Sequence, residues 1–305
     1  MLAAMSPSTP HMTVAAFALV ALSPDVRHAG AAARSEAPPQ DIVCAMAAPS
    51  LETPLAPEWS TGPDVGTGVA AKDTGNPRGN DVFIGYAGYN VPIEDAEAWV
   101  DALWDAWLRD RGVRYVWAVR GPDDSHYEHK EIGNTKIAAR LRELAPLASF
   151  VMVAAHSSGS CVAHELFKQL AEGRDPEGAT AGKIVYFNLD GIEKGLSPES
   201  IARLRRAYFV GATDRATRTV SPNEGEMRRT AEQYAAPTVA YYEHDARAAG
   251  CASGGTWCLH VTLVTNAPHD VRAARAHLDY TDFASAGVAT AVFDAKAAEA
   301  GIARR

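Results

Sequence analysis

Phe150-Val151-Met152-Val153-Ala154-Ala155-His156-Ser157-Ser158-Gly159-Ser160 decides how the rest of the chain reads. Its first half is an apolar run of strand length. Val162, Ala163, Leu166, Phe167 and Leu170 then recur at helical spacing and give one apolar face. A buried strand therefore runs through a sharp turn straight into a helix. A serine at that turn, with Ala155 two residues before it and Gly159 two after, has the layout of a nucleophile elbow. The small flanks matter because the turn holds the serine in a strained backbone conformation, and a larger side chain would collide with the neighbouring strand or helix. Ser157 alone fits, since Ser158 would be flanked by His156 and Ser160. The competing reading is a polar, Ser-rich helix cap that only satisfies backbone N–H groups.

Outward from the elbow, strand and helix alternate. Upstream, Asp81–Tyr86 reads as a strand ending in the turn Ala87-Gly88-Tyr89-Asn90. Pro92 opens a helix with Ile93, Ala96, Trp99, Val100, Leu103 and Trp107 on one face and acidic residues in its first turns, as the helix dipole favours. Its tryptophans read as packing residues. Tyr115–Val119 is a strand, Arg120–Asn134 a polar loop long enough to border a site, and Thr135–Ala145 a helix stopped by Pro146. Downstream, Lys183–Leu189 is a strand ending at Asp190-Gly191, and Ser197-Pro198-Glu199 caps a short helix. Tyr208–Ala212 is a strand ending at Thr213-Asp214, followed by a helix over Glu226–Tyr234 and a strand over Thr238–Tyr242. Strict alternation with apolar strands implies an α/β fold, with a mainly parallel central sheet and helices on both faces. Ligands of such sheets bind at the carboxyl ends of the strands, where Ser157, Asp190 and Asp214 all fall.

The 305 residues and an ordinary apolar fraction of 47% allow one large core. A net charge of −8 without a basic cluster argues against nucleic acid as a partner. Met12–Leu22 is an apolar run of signal-peptide length, too short to cross a bilayer, and small-residue cleavage patterns follow it near Ala29–Ala33. Residues 1–33 are thus expected to be a signal peptide, although no Lys or Arg precedes the run, and the protein to be secreted or periplasmic. Residues 34–80, rich in Pro, Gly, Ala and Ser, read as an irregular arm with one or two weak strands; 81–305 reads as the catalytic domain. No other stretch is apolar enough to span a membrane. In an exported protein Cys251 and Cys258 would close a local disulfide, whereas Cys161, one turn past Ser157, reads as a small buried hydrophobe.

A serine hydroxyl needs a base to take its proton, and the base needs an acid group to hold its tautomer. In Ala155-His156-Ser157-Ser158-Gly159, with aspartates and histidines downstream, the chain resembles the α/β-hydrolase family of serine esterases and lipases, from Asp81 to the last helix. The resemblance implies Ser157 as nucleophile, with His156 supporting the site without acting as base. It implies Asp214 as acid, since the family most often places its carboxylate after the second strand beyond the elbow helix; Asp190 is the alternate. His260 is the expected base, or His269 if Leu259–Thr265 is itself the last strand. The oxyanion hole would be the backbone N–H of Ser158 and a second N–H near Tyr86 or Ala87. Where the family often has His-Gly, this chain has Gly85-Tyr86-Ala87-Gly88.

The activity implied is hydrolysis of an ester or similar acyl bond in a small-molecule or lipid substrate, with no metal or other cofactor. The short interval Gly191–Ala207, where family members often carry a lid, implies minimal cover over the site. An acyltransferase or thioesterase would share the triad, and a noncatalytic binding protein would share the fold. His126-Tyr127-Glu128-His129-Lys130-Glu131 could suggest a metal cluster, but it reads better as a solvated loop. Gly85-Tyr86-Ala87-Gly88 falls short of the full dinucleotide-binding pattern.

Overall fold

Residues of alternate parity along each strand feed two separate cores. In one strand Met152 and Ala154 join one cluster while Val151, Val153 and Ala155 join the other; in the next, Val185 and Phe187 oppose Ile184 and Tyr186. This is the period-two consequence of a pleated strand whose two faces are both covered. The computed structural model describes residues 57–122, 133–172, 178–192, 195–214, 219–220, 224–234, 237–245 and 287–305. The chain divides into Met1–Ala48 and Pro49–Arg305, and every described residue belongs to the second unit.

Nine strands form one sheet among these residues: β1 (Ser60–Thr61), β2 (Val69–Asp73), β3 (Asp81–Tyr86), β4 (Val113–Val119), β5 (Val151–His156), β6 (Ile184–Leu189), β7 (Arg206–Asp214), β8 (Thr219–Val220) and β9 (Val239–Asp245). Their order is β1-β2-β4-β3-β5-β6-β7, with both β8 and β9 paired to β7. From β4 to β9 the long strands run parallel, while β1, β2 and β8 pair antiparallel. The helices are α1 (Ile93–Leu103), α2 (Asn134–Leu144), α3 (Gly159–Glu172), α4 (Pro198–Ala202), α5 (Glu224–Tyr234) and α6 (Gly287–Ala300). α1 and α6 pack on one face; α2 to α5 pack on the other. Every residue of β3, β5 and β6 is buried, as expected for central strands covered on both sides. The architecture is α/β and α/β-hydrolase-like.

The sheet starts earlier than its apolar runs advertise. β1 and β2 lie within the segment read as an arm, and β2 pairs with β4 from Val69↔Val119 to Asp73↔Tyr115. The five residues Val-Ala-Ala-Lys-Asp are too short and too alanine-rich to stand out between glycine-rich flanks. The tryptophans of the α1 region behave as packing residues: Trp99 and Trp107 are buried. Between Gly191 and β7 the one described helix is the five-residue α4, whose cap Ser197 accepts from the Ser200 N–H. Residues 1–33, the loop His126–Glu131, Cys251, Cys258, His260 and His269 lie outside the described residues.

Candidate active site

The elbow is built by the end of β5 and the start of α3. Ser157 has φ 50°, a left-handed backbone that L-residues other than Gly, Asn and Asp rarely adopt. Its N–H donates to Leu189 O at 3.2 Å, carrying the β5–β6 pairing one residue past His156↔Leu189. Its carbonyl accepts from the Ser160 N–H at 3.1 Å. A Cβ at Gly159 would collide with Ala87 O and lie 2.8 Å from Tyr86 O, so α3 starts with its backbone against the turn after β3. That close approach explains the glycine. Ala155, the opposite flank, is fully buried in the core that α2 and α3 cover.

His156, the last residue of β5, is completely buried. Ser158 is buried at the first turn of α3, where the leading N–H groups have no acceptor within the helix and carry its positive end. The positive end of the α3 dipole thus lies beside Ser157, while the Ser160 and Cys161 N–H groups donate to Ser157 O and Ser158 O. The turn after β3 presents the opposite polarity, since Tyr86 O and Ala87 O face Gly159. The Ala87 N–H donates to Val119 O at 3.0 Å, and the Asn90 and Val91 N–H groups donate to Pro122 O and Gly88 O at 2.7 and 3.3 Å. Ala87, one of the two expected positions for the second oxyanion donor, has thus committed its N–H to the sheet. Tyr86 is fully buried, its hydroxyl donating to Asn134 Oδ1 at 2.8 Å, and burial holds its phenol well above the ordinary value.

Asp190 follows β6 directly. It too has φ 50° and is fully buried. Its N–H donates to Val210 O at 2.9 Å, so Ser157 and Asp190 occupy the same level at the ends of adjacent strands. Asp214 ends β7 in the hairpin with β8, paired with Thr219. It stands four residues beyond Val210, about 13 Å further along the strand direction at roughly 3.3 Å per residue. The backbone brings Asp190, and not Asp214, next to the elbow.

Two residues that the sequence reading left without a role join this cluster. Asn188 is fully buried, and its Oδ1 accepts from the Gly191 N–H at 2.7 Å. Ser160 Oγ lies 2.7 Å from Ser157 O and 2.6 Å from Ile192 O, and accepts from the Ile192 N–H at 2.9 Å. The signal that could have found Ser160 is its place one helical turn after Ser157. For Asn188 it is the Asn-x-x-Gly spacing at the end of a strand. Cys161 is buried on α3, as expected of a small hydrophobe.

A groove of about 650 Å³ opens at the same edge of the sheet, on the far side of β3 and β4, between the β1–β2 hairpin and α1. Trp59, Thr67, Val69, Ile93, Glu94 and Glu97 are among its lining residues. Among the described residues no group of three or more His, Cys, Asp or Glu side chains is placed to hold a metal ion. No helix among them is long and apolar enough to cross a membrane.

No protein-family model matches the chain, and no curated protein matches it. Among solved structures, the chain is similar to a crystal structure of esterase B from Lactobacillus rhamnosis inhibited with a tributyrin phosphonate. The two share 10% sequence identity at a TM-score of 0.38, over 78% of this chain and 88% of that one. The α/β-hydrolase-like fold rests on the strand order and the two-faced core of the chain itself.

Proposed function

We propose that the protein is a serine hydrolase that cleaves an ester or similar acyl bond through an acyl-enzyme on Ser157. The observation that carries this reading is the left-handed Ser157 at the β5–α3 turn, with the N-terminus of α3 directly after it. A strained, non-glycine residue at a strand end costs about 1–3 kcal/mol and persists where the surroundings over-determine it. Serine has no advantage there unless its hydroxyl is used.

Ser157 Oγ attacks the acyl carbon while a histidine takes its proton. Negative charge on the acyl oxygen is met by the Ser158 N–H and by a second donor. With the Ala87 N–H engaged by Val119 O, we assign the second donor to another backbone N–H near the end of β3. The tetrahedral intermediate expels the alcohol, which receives the proton from the histidine. Water, deprotonated by the same histidine, then releases the acid and restores Ser157. His260 fills the role of base, with His269 as the alternate.

For the acid, the family resemblance points to Asp214 and the geometry favours Asp190. The full burial of Asp190 and its level with Ser157 at the strand ends support this choice. Asp190 is therefore our assignment. The reading also includes export and a Cys251–Cys258 bridge, which intact mass before and after reduction would reveal as a gain of two hydrogens. Hydrolysis of a short-chain 4-nitrophenyl ester tests the activity. The native protein turns it over, and Ser157→Ala reduces kcat by at least about 10³-fold. Equal rates for the two folded proteins would sink the reading.

A further inference from the structure

Three successive backbone N–H groups at the end of β6 are each taken by a different kind of partner. Asp190 donates to Val210 O of the next strand, Gly191 to the Asn188 side chain, and Ile192 to Ser160 Oγ on α3. The first bond is sheet pairing and the second a local turn closure. The third crosses from one element to another, 32 residues away in sequence. Ser160 is fully buried, and its oxygen lies within 2.6–2.9 Å of Ser157 O, Ile192 O and Ile192 N. A serine in the first turn of a helix often bonds back to a nearby carbonyl and nothing more. Here the same oxygen also accepts from the strand turn that carries Asp190.

We propose that Ser160 is a positioning residue of the hydrolytic site, its hydroxyl stapling the Asp190 turn to the Ser157 elbow. This inference rests on the reading of Ser157 as a nucleophile. The staple joins left-handed Ser157 to Ile192, two residues past left-handed Asp190, through one oxygen, and the fit around it is close. A Cβ at Gly191 would lie 2.7 Å from Ser160 Cβ and collide with Asn188 Oδ1, so glycine is the residue that lets the turn come down onto α3. Ser157 keeps the Ser160 N–H bond to its carbonyl when the hydroxyl is removed, whereas the Ile192 N–H loses its acceptor. Loss of the hydroxyl therefore loosens the turn relative to the elbow and leaves the elbow itself formed.

Hydrolysis of a short-chain 4-nitrophenyl ester and labelling by a fluorophosphonate probe are measured on native protein, Ser160→Ala and Ser160→Cys, each checked for folding by circular dichroism. Because a misplacement of about 1 Å can cost roughly 10²-fold, Ser160→Ala is expected to lower kcat by about ten- to a hundredfold with KM within about twofold. Ser160→Cys, which keeps a weak hydrogen-bonding group of similar size, returns part of the loss. If Ser160→Ala does not fold, Ser160→Cys carries the test through a smaller kcat loss with unchanged KM. A folded Ser160 variant with a lower thermal midpoint but native kcat and labelling rate overturns the proposal, because Ser160 is then only structural. Absence of labelling and turnover in the native protein overturns the hydrolase reading, and the positioning role with it.

Discussion

Ser157 and Asp190 stand side by side at the carboxyl ends of β5 and β6, and each has a φ of 50°. The Ser157 N–H reaches back to Leu189 O, the residue just before Asp190, so one strained turn is tied directly to the other. Each left-handed residue costs about 1–2 kcal/mol, which the buried hydrogen bonds around the pair offset. Strain repeated at two neighbouring strand ends, on the edge where α/β sheets bind their ligands, concentrates the functional case on this pair.

The acid is separated from its alternate by two exchanges. Asparagine tolerates a left-handed backbone, so Asp190→Asn removes charge while keeping the turn. With Asp190 as acid, kcat for ester hydrolysis falls by about 10⁴-fold in Asp190→Asn and by less than about tenfold in Asp214→Asn. The reverse pattern moves the role to Asp214.

Gly159→Ala drives a methyl group into the Ala87 and Tyr86 carbonyls, which are backbone and cannot swing aside. Overpacking of this kind costs about 1–3 kcal/mol. Thermal unfolding should show a midpoint lower by several degrees, with slower turnover because the start of α3 is pushed from the β3 turn. Native stability and turnover in this variant would show that the close approach is not needed.

α6 is pinned by a mixed contact that lies away from the site. The Arg111 side chain, 5% exposed, stacks with its guanidinium 3.6 Å from the Trp107 ring centroid and pairs with Asp294 at 2.7 Å. Asp294→Ala leaves a buried cation without its carboxylate. Because Asp294 itself is about half exposed, the expected loss is about 2 kcal/mol, below the full cost of breaking a buried pair. Urea unfolding should shift its midpoint while native-state turnover stays unchanged; an unchanged midpoint contradicts this account of how α6 is held.

Asp81 provides a pH test of a buried carboxylate at the opposite edge of the sheet. Its Oδ1 accepts from the Ser149 and Phe150 N–H groups at 2.6 and 3.0 Å, and its Oδ2 lies 2.7 Å from Arg305. Burial still raises the carboxyl above its ordinary value, with the N–H donors and Arg305 pulling the other way. The folded state then holds the proton more tightly than the unfolded chain does. Stability from this group is full below the unfolded pKa and is lost as pH rises through the folded one. Asp81→Asn does not titrate, so the stability of native protein minus that of the variant should shrink over the pH window that opens at the ordinary aspartate value of about 3.9 and rises from there. A difference that grows across that window contradicts the raised pKa.

The core was legible because its strands are continuous apolar runs, such as Val151–Ala155, and its helices carry one-sided apolar stripes. The weak strands expected in residues 34–80 could not be located there, because Val69–Asp73 gains its strand character from pairing with β4, and no local pattern reveals that pairing. Ser157 was legible because steric demands on its flanks act within five residues of sequence. Asp214 was ranked above Asp190 by family resemblance alone, since both end strands; their levels depend on the register of β6 against β7. The engagement of the Ala87 N–H by Val119 is likewise a matter of pairing between strands distant in sequence. Ser160 needed the turn after β6 to be folded onto α3 before its hydroxyl acquired a second partner.

Covalent labelling tests the nucleophile most directly. Folded native protein is treated with a fluorophosphonate probe, and the adduct is mapped by peptide mass spectrometry, with Ser157→Ala in parallel. The account predicts one adduct, on the peptide containing Ser157, and none in the variant. Native protein that stays unlabelled, or labelling that persists after Ser157→Ala, would contradict it.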